Sequence, residues 1–156
     1  MWIIAFVFII IAFAIGYFIA WNSQEKKRIT IKNTSDKHLA LFRLMDDWTN
    51  VKIKGKKVED FFIRREYKNI AIYGMSYVGK TLLHELEESE INVAYGIEKN
   101  IDNVYVPIPL IKPSDELPLV DCIVVTPITY FDDIAEMLEK KVDCPIICME
   151  DILYEL

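Results

Sequence analysis

Eight consecutive residues constrain this chain more than any others. Gly74-Met75-Ser76-Tyr77-Val78-Gly79-Lys80-Thr81 follow the apolar run Asn69–Tyr73. They open a stretch of helical spacing, Val78 to Glu90, in which Leu82, Leu83 and Leu86 share one face. An apolar strand that turns on a glycine straight into a helix makes a β-α unit, and such a unit must pair with further strands. Candidates follow in order. Ile91–Ile97 reads as a second strand. Val104–Ile111, interrupted by Pro107 and Pro109, reads as an edge or irregular strand. Asp121–Pro127 contains Cys122-Ile123-Val124-Val125, the continuous apolar run expected of a strand buried on both faces. Residues 130–141 form an amphipathic helix through Ile134, Met137 and Leu138, and Pro145–Met149 supplies a last strand. The alternation predicts an α/β domain over residues 69–156, with a small parallel sheet of about five strands.

The octapeptide carries two overlapping patterns. Read literally, GMSYVGKT is G-x-x-x-x-G-K-T, a phosphate loop whose backbone N–H groups cradle phosphates while Lys80 and Thr81 serve phosphate and magnesium. With one substitution it is G-x-S-x-x-G, close to the dinucleotide fingerprint G-x-G-x-x-G. Gly74 then supplies the tight turn and Gly79 the close helix–strand contact, while Ser76 replaces the glycine that lets a pyrophosphate approach. The fingerprint wants an acidic residue about 20 positions on to meet a ribose. Glu98 stands just past the Ile91–Ile97 strand, with Asp102 nearby. A phosphate-loop hydrolase instead wants a strand ending in Asp. The strongest later strand ends in Thr126-Pro127, and its Asp121 lies at the opposite end. The spacing favours the dinucleotide-type loop, with Gly74, Met75, Ser76, Tyr77, Gly79, Lys80 and Glu98 as its binding residues. Two alternatives stay open: a phosphate-loop hydrolase, and a turn that binds nothing.

The chain's 156 residues suffice for one globular domain of modest size. Charge is partitioned sharply along it. Residues 1–21 carry none, residues 22–68 hold 13 basic and 7 acidic side chains, and residues 69–156 hold 5 basic and 17 acidic. The acidic domain would repel a phosphate backbone, which excludes nucleic acid as a partner. Residues 1–21 include seven Ile and four Phe, enough apolar length for a transmembrane helix. No basic residue precedes the run and no Ala-x-Ala follows it, so a retained anchor is expected rather than a cleaved signal. Lys26, Lys27, Arg28 and Lys32 come directly after. By the positive-inside rule they place the N-terminus outside, the domain in the cytoplasm, and the bilayer among the partners. Residues 22–34 read as a linker. A helical neck follows, first with the stripe Leu41, Phe42, Met45 and Trp48, then from Lys56 to Arg65 with Val58, Phe61 and Phe62. The expected organisation is an anchor over 1–21, a basic linker and neck over 22–68, and the α/β domain over 69–156.

The stretch from Trp48 to Leu156 includes Tyr67-Lys68-Asn69-Ile70-Ala71-Ile72-Tyr73-Gly74-Met75, Val124-Val125-Thr126-Pro127 and Cys144-Pro145-Ile146-Ile147. It resembles a small Rossmann-like domain that accompanies bacterial capsule and exopolysaccharide glycosyltransferases. It is also similar to the nucleotide-binding part of membrane-bound nucleoside-diphosphate-sugar epimerases and phosphoglycosyl transferases. The resemblance implies a membrane-tethered module in surface-polysaccharide assembly, with NAD(P) or a nucleotide-sugar as ligand and a glycosyltransferase or other assembly enzyme as partner.

Other chemistry finds little support. A short-chain-dehydrogenase-type epimerase needs Tyr-x-x-x-Lys on one helical turn, and no stretch of helical spacing carries that pair. His38 and His84 are too few and too scattered for a zinc site or a catalytic triad. Cys122, Cys144 and Cys148 read as core thiols. The pairs Asp132-Asp133 and Glu150-Asp151 read as helix-end charge and solvated surface. The sequence therefore assigns no catalytic residue and no metal ligand. It predicts a nucleotide, dinucleotide or nucleotide-sugar binding accessory protein, with a ligand-free docking scaffold as the further alternative.

Overall fold

A computed structural model describes the backbone of residues 2–156 and the side chains of residues 16–18, 20–28 and 30–156. The elements run α1 (Trp2–Ile53), α2 (Glu59–Arg64), β1 (Asn69–Tyr73), α3 (Tyr77–Leu86), β2 (Asn92–Ile97), β3 (Leu110–Ile111), β4 (Cys122–Val125), α4 (Phe131–Glu139), β5 (Ile146–Cys148) and α5 (Met149–Tyr154). The chain divides into two compact units, residues 1–41 and 42–156.

The N-terminal expectations need correction. Much of the anchor predicted over residues 1–21 falls on side chains outside the described residues. Among the described residues, no helix is long and apolar enough to cross a membrane. The transmembrane helix and the single-pass N-out placement therefore lose their support. The organisation of the helix also differs from that expected. Residues 22–34 are no linker: α1 runs through them, carrying Glu25, Lys26, Lys27, Arg28 and Lys32. The Thr30 and Thr34 hydroxyls bond back to the carbonyls of Lys26 and Thr30, each at 2.9 Å, so these β-branched residues sit inside helical turns.

In the second unit the end of α1 is amphipathic, but along a slightly rotated stripe. Leu44, Trp48 and Val51 are buried, whereas Phe42, predicted to face inward, is 70% exposed. Spacing of i, i+4 and i+7 from Leu44 follows one face, and Phe42 lies off it. Gly55, at φ +72°, ends the helix in the left-handed region that glycine tolerates. The short α2 then buries Phe61 and Phe62, whose rings meet edge to face at 5.4 Å. One carboxylate ties this neck to the domain. Glu85 of α3 accepts the Trp48 indole N–H at 2.7 Å and the Val58 backbone N–H at 3.2 Å, and it pairs with Lys52 at 2.6 Å.

The sheet is five-stranded and wholly parallel, in the order β3-β2-β1-β4-β5. β1 and β4 are central, and their residues Ile70–Tyr73 and Cys122–Val125 are all buried, as helices on both faces require. Side chains alternate across the sheet. Ile72 lies on the side of α3, which buries Val78, Leu82, Leu83 and Leu86. Ala71, Tyr73, Tyr95, Ile97, Ile123 and Val125 pack on the other side with Ile134 and Leu138 of α4. Several predicted elements contract. The third strand keeps only Leu110–Ile111, because Pro107 and Pro109 have no N–H to give a ladder; the Pro109 carbonyl still accepts from Gly96 N–H at 2.9 Å. Between β2 and β3 the only helical turn is a 3-10 turn at Ile101–Asn103. The short α5, carrying buried Met149, Ile152 and Leu153, was not anticipated in what looked like an acidic surface end.

Asp121 closes the other end of the central strand pair. One of its oxygens accepts the backbone N–H groups of Lys68 and Asn69, both at 2.7 Å, where β1 and β4 begin. These bonds, the one from Asn69 first, hold its carboxyl below the ordinary carboxylate range. A depressed folded-state value stabilises the fold above the ordinary carboxylate pKa, and that contribution is lost as pH falls through the folded value. Asp121→Asn is expected to flatten the acid limb of stability below about pH 4. Urea midpoints from pH 2 to pH 7 check this; an unchanged acid limb would contradict it.

Candidate functional site

The turn between β1 and α3 is tight. Only Gly74, Met75 and Ser76 separate strand from helix. Gly74 has φ +89°, and a Cβ there would lie 2.7 Å from the Pro127 ring and 2.8 Å from the Thr126 hydroxyl. Gly79 is more constrained still: its Cβ would fall 2.0 Å from the Gly74 carbonyl oxygen. Both glycines are thus required by contact, the first by backbone conformation as well. The Thr126 hydroxyl, at the end of β4, lies 2.7 Å from the Gly74 carbonyl and 3.0 Å from that of Tyr73, and donates between them. Thr126 and Pro127, which read in the sequence only as the end of a strand, therefore brace the glycine turn from across the gap between β1 and β4. Gly96 makes room on the other flank, where Met75 folds in and is 1% exposed.

Glu98 is brought to the same place. Its Oε2 accepts the Met75 N–H at 3.0 Å, and its Oε1 accepts the Lys99 N–H at 2.8 Å. The acid predicted 24 positions after Gly74 therefore holds the turn directly. Ser76 is the N-cap residue of α3; it is exposed and makes no side-chain cap bond. Lys80 N–H is the first of the helix to reach back, to the Ser76 carbonyl at 3.0 Å. The amides of Tyr77, Val78 and Gly79 precede that bond, at the positive end of the helix dipole. Tyr77 is 80% exposed beside them.

This geometry bears on the two motif readings. In the phosphate-loop reading residues 74–79 form an extended loop around the phosphate, and Lys80 and Thr81 open the helix. Here α3 already begins at Tyr77, and the Thr81 hydroxyl is engaged with the Tyr77 carbonyl at 3.0 Å. Asp121 sits at the start of β4 and holds backbone amides, away from the glycine turn. Between strand and helix the turn is three residues long, and it is closed by the contact of Gly79 with the Gly74 carbonyl. Six of the seven predicted residues gather at or around it: Gly74, Met75, Ser76, Tyr77, Gly79 and Glu98. Lys80 points from the exposed side of the first helical turn.

Tyr73, which sequence reasoning passed over, ends β1 directly beneath the turn. It is 4% exposed, and among the described residues its hydroxyl is a buried polar atom without a hydrogen-bond partner. Burial, and then the charge of Glu98, push its pKa up. The alternation of β1 and the core position of Tyr73 hid it, because a tyrosine on a strand reads as packing.

Other groups are accounted for structurally. Tyr95 and Lys99 have Tyr-x-x-x-Lys spacing, but Tyr95 lies in β2 and its hydroxyl donates to the Pro118 carbonyl at 2.6 Å. Burial pushes the Cys122 thiol up to about 12, and the three cysteines are free. His84 is a surface residue facing Glu87 at 3.0 Å. Among the described residues no group of three or more His, Cys, Asp or Glu could hold a metal ion. A cavity of about 320 Å³ opens beyond the ends of β4 and β5, lined in part by Thr129, Tyr130, Asp132, Cys148 and Glu150.

Comparison with protein-family models, with curated proteins and with solved structures finds no match to this chain. The fold and the site stand on their own geometry.

Gly79→Ala is expected to cost more than about 3 kcal/mol, because a methyl group cannot share space with a backbone carbonyl unless α3 moves off β1. Lys80→Ala, on the exposed side of the helix, is expected to stay within about 0.5 kcal/mol of the wild type. Paired urea denaturation curves measure both, and equal losses would contradict the assigned close contact.

Proposed function

We propose that this chain binds a nucleotide, as a dinucleotide or a nucleotide-sugar, across the C-terminal edge of its sheet at the Gly74–Gly79 turn. The observation that carries the reading is the strand order. In β3-β2-β1-β4-β5 the chain reverses direction of winding between β1 and β4, and open α/β sheets bind ligands in the crevice beyond the strand ends at that switch point. The glycine turn lies there. Its uncapped helix N-terminus suits a phosphate, and Glu98 at the end of β2 suits a ribose hydroxyl. The cavity beyond β4 and β5 offers room for the second half of such a ligand, and its carboxylates suit hydroxyl groups better than a further phosphate.

The role is binding, with no residue assigned to turnover. The resemblance to polysaccharide-associated domains makes a nucleotide-sugar a leading ligand class and a glycosyltransferase or related assembly enzyme the class of partner. The hydrolase alternative has less support, because a three-residue turn is shorter than the loop that wraps a phosphate and Asp121 lies at the far end of β4.

The test is thermal unfolding of the full chain with NADH, NADPH, ADP, UDP-glucose, and ATP with and without magnesium. A ligand at about 100 times its dissociation constant adds roughly 2.7 kcal/mol of stability. A magnesium-independent shift is expected, and Lys80→Ala should preserve it. Ser76→Asp should abolish it while raising the melting temperature of the free chain, since the new carboxylate caps α3 and repels phosphate. A shift that needs magnesium and Lys80 would support a hydrolase. No shift with any ligand would leave a docking scaffold.

A further inference from the structure

The α3 side of the sheet is one helix short. Parallel neighbours are joined by crossovers, usually helical and right-handed. In the order β3-β2-β1 the chain steps twice in the same direction, so both crossovers fall on the same face of the sheet. The first is α3. The second, residues 98–109, forms only the 3-10 turn Ile101–Asn103. The place of a crossover helix beside α3, against β2 and β3, is thus left open. A cavity of about 330 Å³ lies there, with Leu83 and Leu86 of α3, Val93 of β2 and Ile108 among its walls. Val93 and Ile108 are only half-buried, on the side such a helix would cover. Glu87 and Glu90 line the same cavity and are exposed; Glu87 faces His84 at 3.0 Å. This groove sits at the end of α3 away from the glycine turn, so it is independent of the nucleotide reading.

A helix that fits here needs an apolar face to cover the groove and cations to meet its glutamates. Residues 69–156 are strongly acidic, and the basic charge of the chain lies before them. Over residues 25–39, α1 carries five basic side chains and two acidic ones. Ile31 and Leu39 are 69% and 48% exposed. Spaced by eight, they share one helical face, and Lys27 and Arg28 stand one turn before Ile31 on that face. Both cations are exposed. We propose that residues 25–39 of α1 from a second copy of this chain dock in the groove, in the place of the absent crossover helix. Ile31 and Leu39 cover the apolar walls, and Lys27 and Arg28 meet Glu87 and Glu90. The chain is thereby a self-associating protein whose contact is set by charge as well as by apolar fit.

Sedimentation equilibrium of the full chain tests this. The wild type should self-associate at low salt, and raising salt from about 50 mM to about 500 mM should weaken association about tenfold, because exposed ion pairs are screened. Glu87→Lys with Glu90→Lys should weaken it about tenfold at low salt, and so should Lys27→Glu with Arg28→Glu. All four changes in one chain should restore association, since each groove then meets a helix of opposite charge again. Ile31→Ser should weaken it with no change in melting temperature, the side chain being exposed. A chain that stays monomeric at all concentrations would overturn the proposal. So would association indifferent to the groove changes, which would mean that α1 pairs elsewhere, or a fourfold variant no better than either pair alone.

Discussion

The rest of this structure depends on one close approach, that of α3 to the end of β1 at Gly79 and Gly74. A helix can lie that near a strand only where no side chain intervenes, and the Gly74 carbonyl fills the place a Cβ on residue 79 would take. With the helix pinned there, the turn shortens to three residues and α3 begins at Tyr77. Lys80 and Thr81 then lie within the first turns of that helix. The first amides of α3 are left without a helical partner beside a turn that Glu98 holds through Met75 and Thr126 holds through Gly74. Fold and candidate site are thus consequences of the same contact.

The contact is supported from both ends of the strands. Near the turn, the Thr126 hydroxyl and the Pro127 ring hold β4 to β1; at the far end, Asp121 binds the first amides of β1. Behind α3, Glu85 gathers Trp48, Lys52 and Val58 onto a carboxylate that is only 11% exposed. The Trp48 and Val58 donors would otherwise be left without this acceptor, so the neck is held by directional bonds as well as by the apolar residues Leu44, Val51, Phe61 and Phe62. The helix that presents the candidate site is therefore fixed along its length.

Much of this was legible in the sequence, for identifiable reasons. The parallel strands β1 and β4 are buried on both faces, and the continuous runs Ile70–Tyr73 and Cys122–Val125 state that directly. The glycine spacing marked the turn, and the distance to Glu98 placed the acid correctly beside it. What was not legible depends on through-space neighbours. Phe42 and Leu44 are equally plausible as inward residues until the face opposite is known. Thr126 and Pro127 look like a strand end until β4 lies beside β1. Tyr73 looks like core until its hydroxyl is seen to lack a partner. At the N-terminus the expected boundary after residue 21 is absent, because one helix continues through the charged residues that follow. Among the described residues no helix is both long and apolar enough to cross a membrane.

The most direct test of the account is residue-resolved amide exchange of the full chain, with and without saturating nucleotide. The helix-start amides of Tyr77, Val78 and Gly79 should gain protection on binding, along with Met75, whose partner Glu98 sits at the same turn. Lys80 and Thr81, already bonded within α3, should change little. Protection that appears elsewhere, or that centres on Lys80 and Thr81 and requires magnesium, would contradict the claim that the glycine turn at the β1–β4 switch point is the binding site.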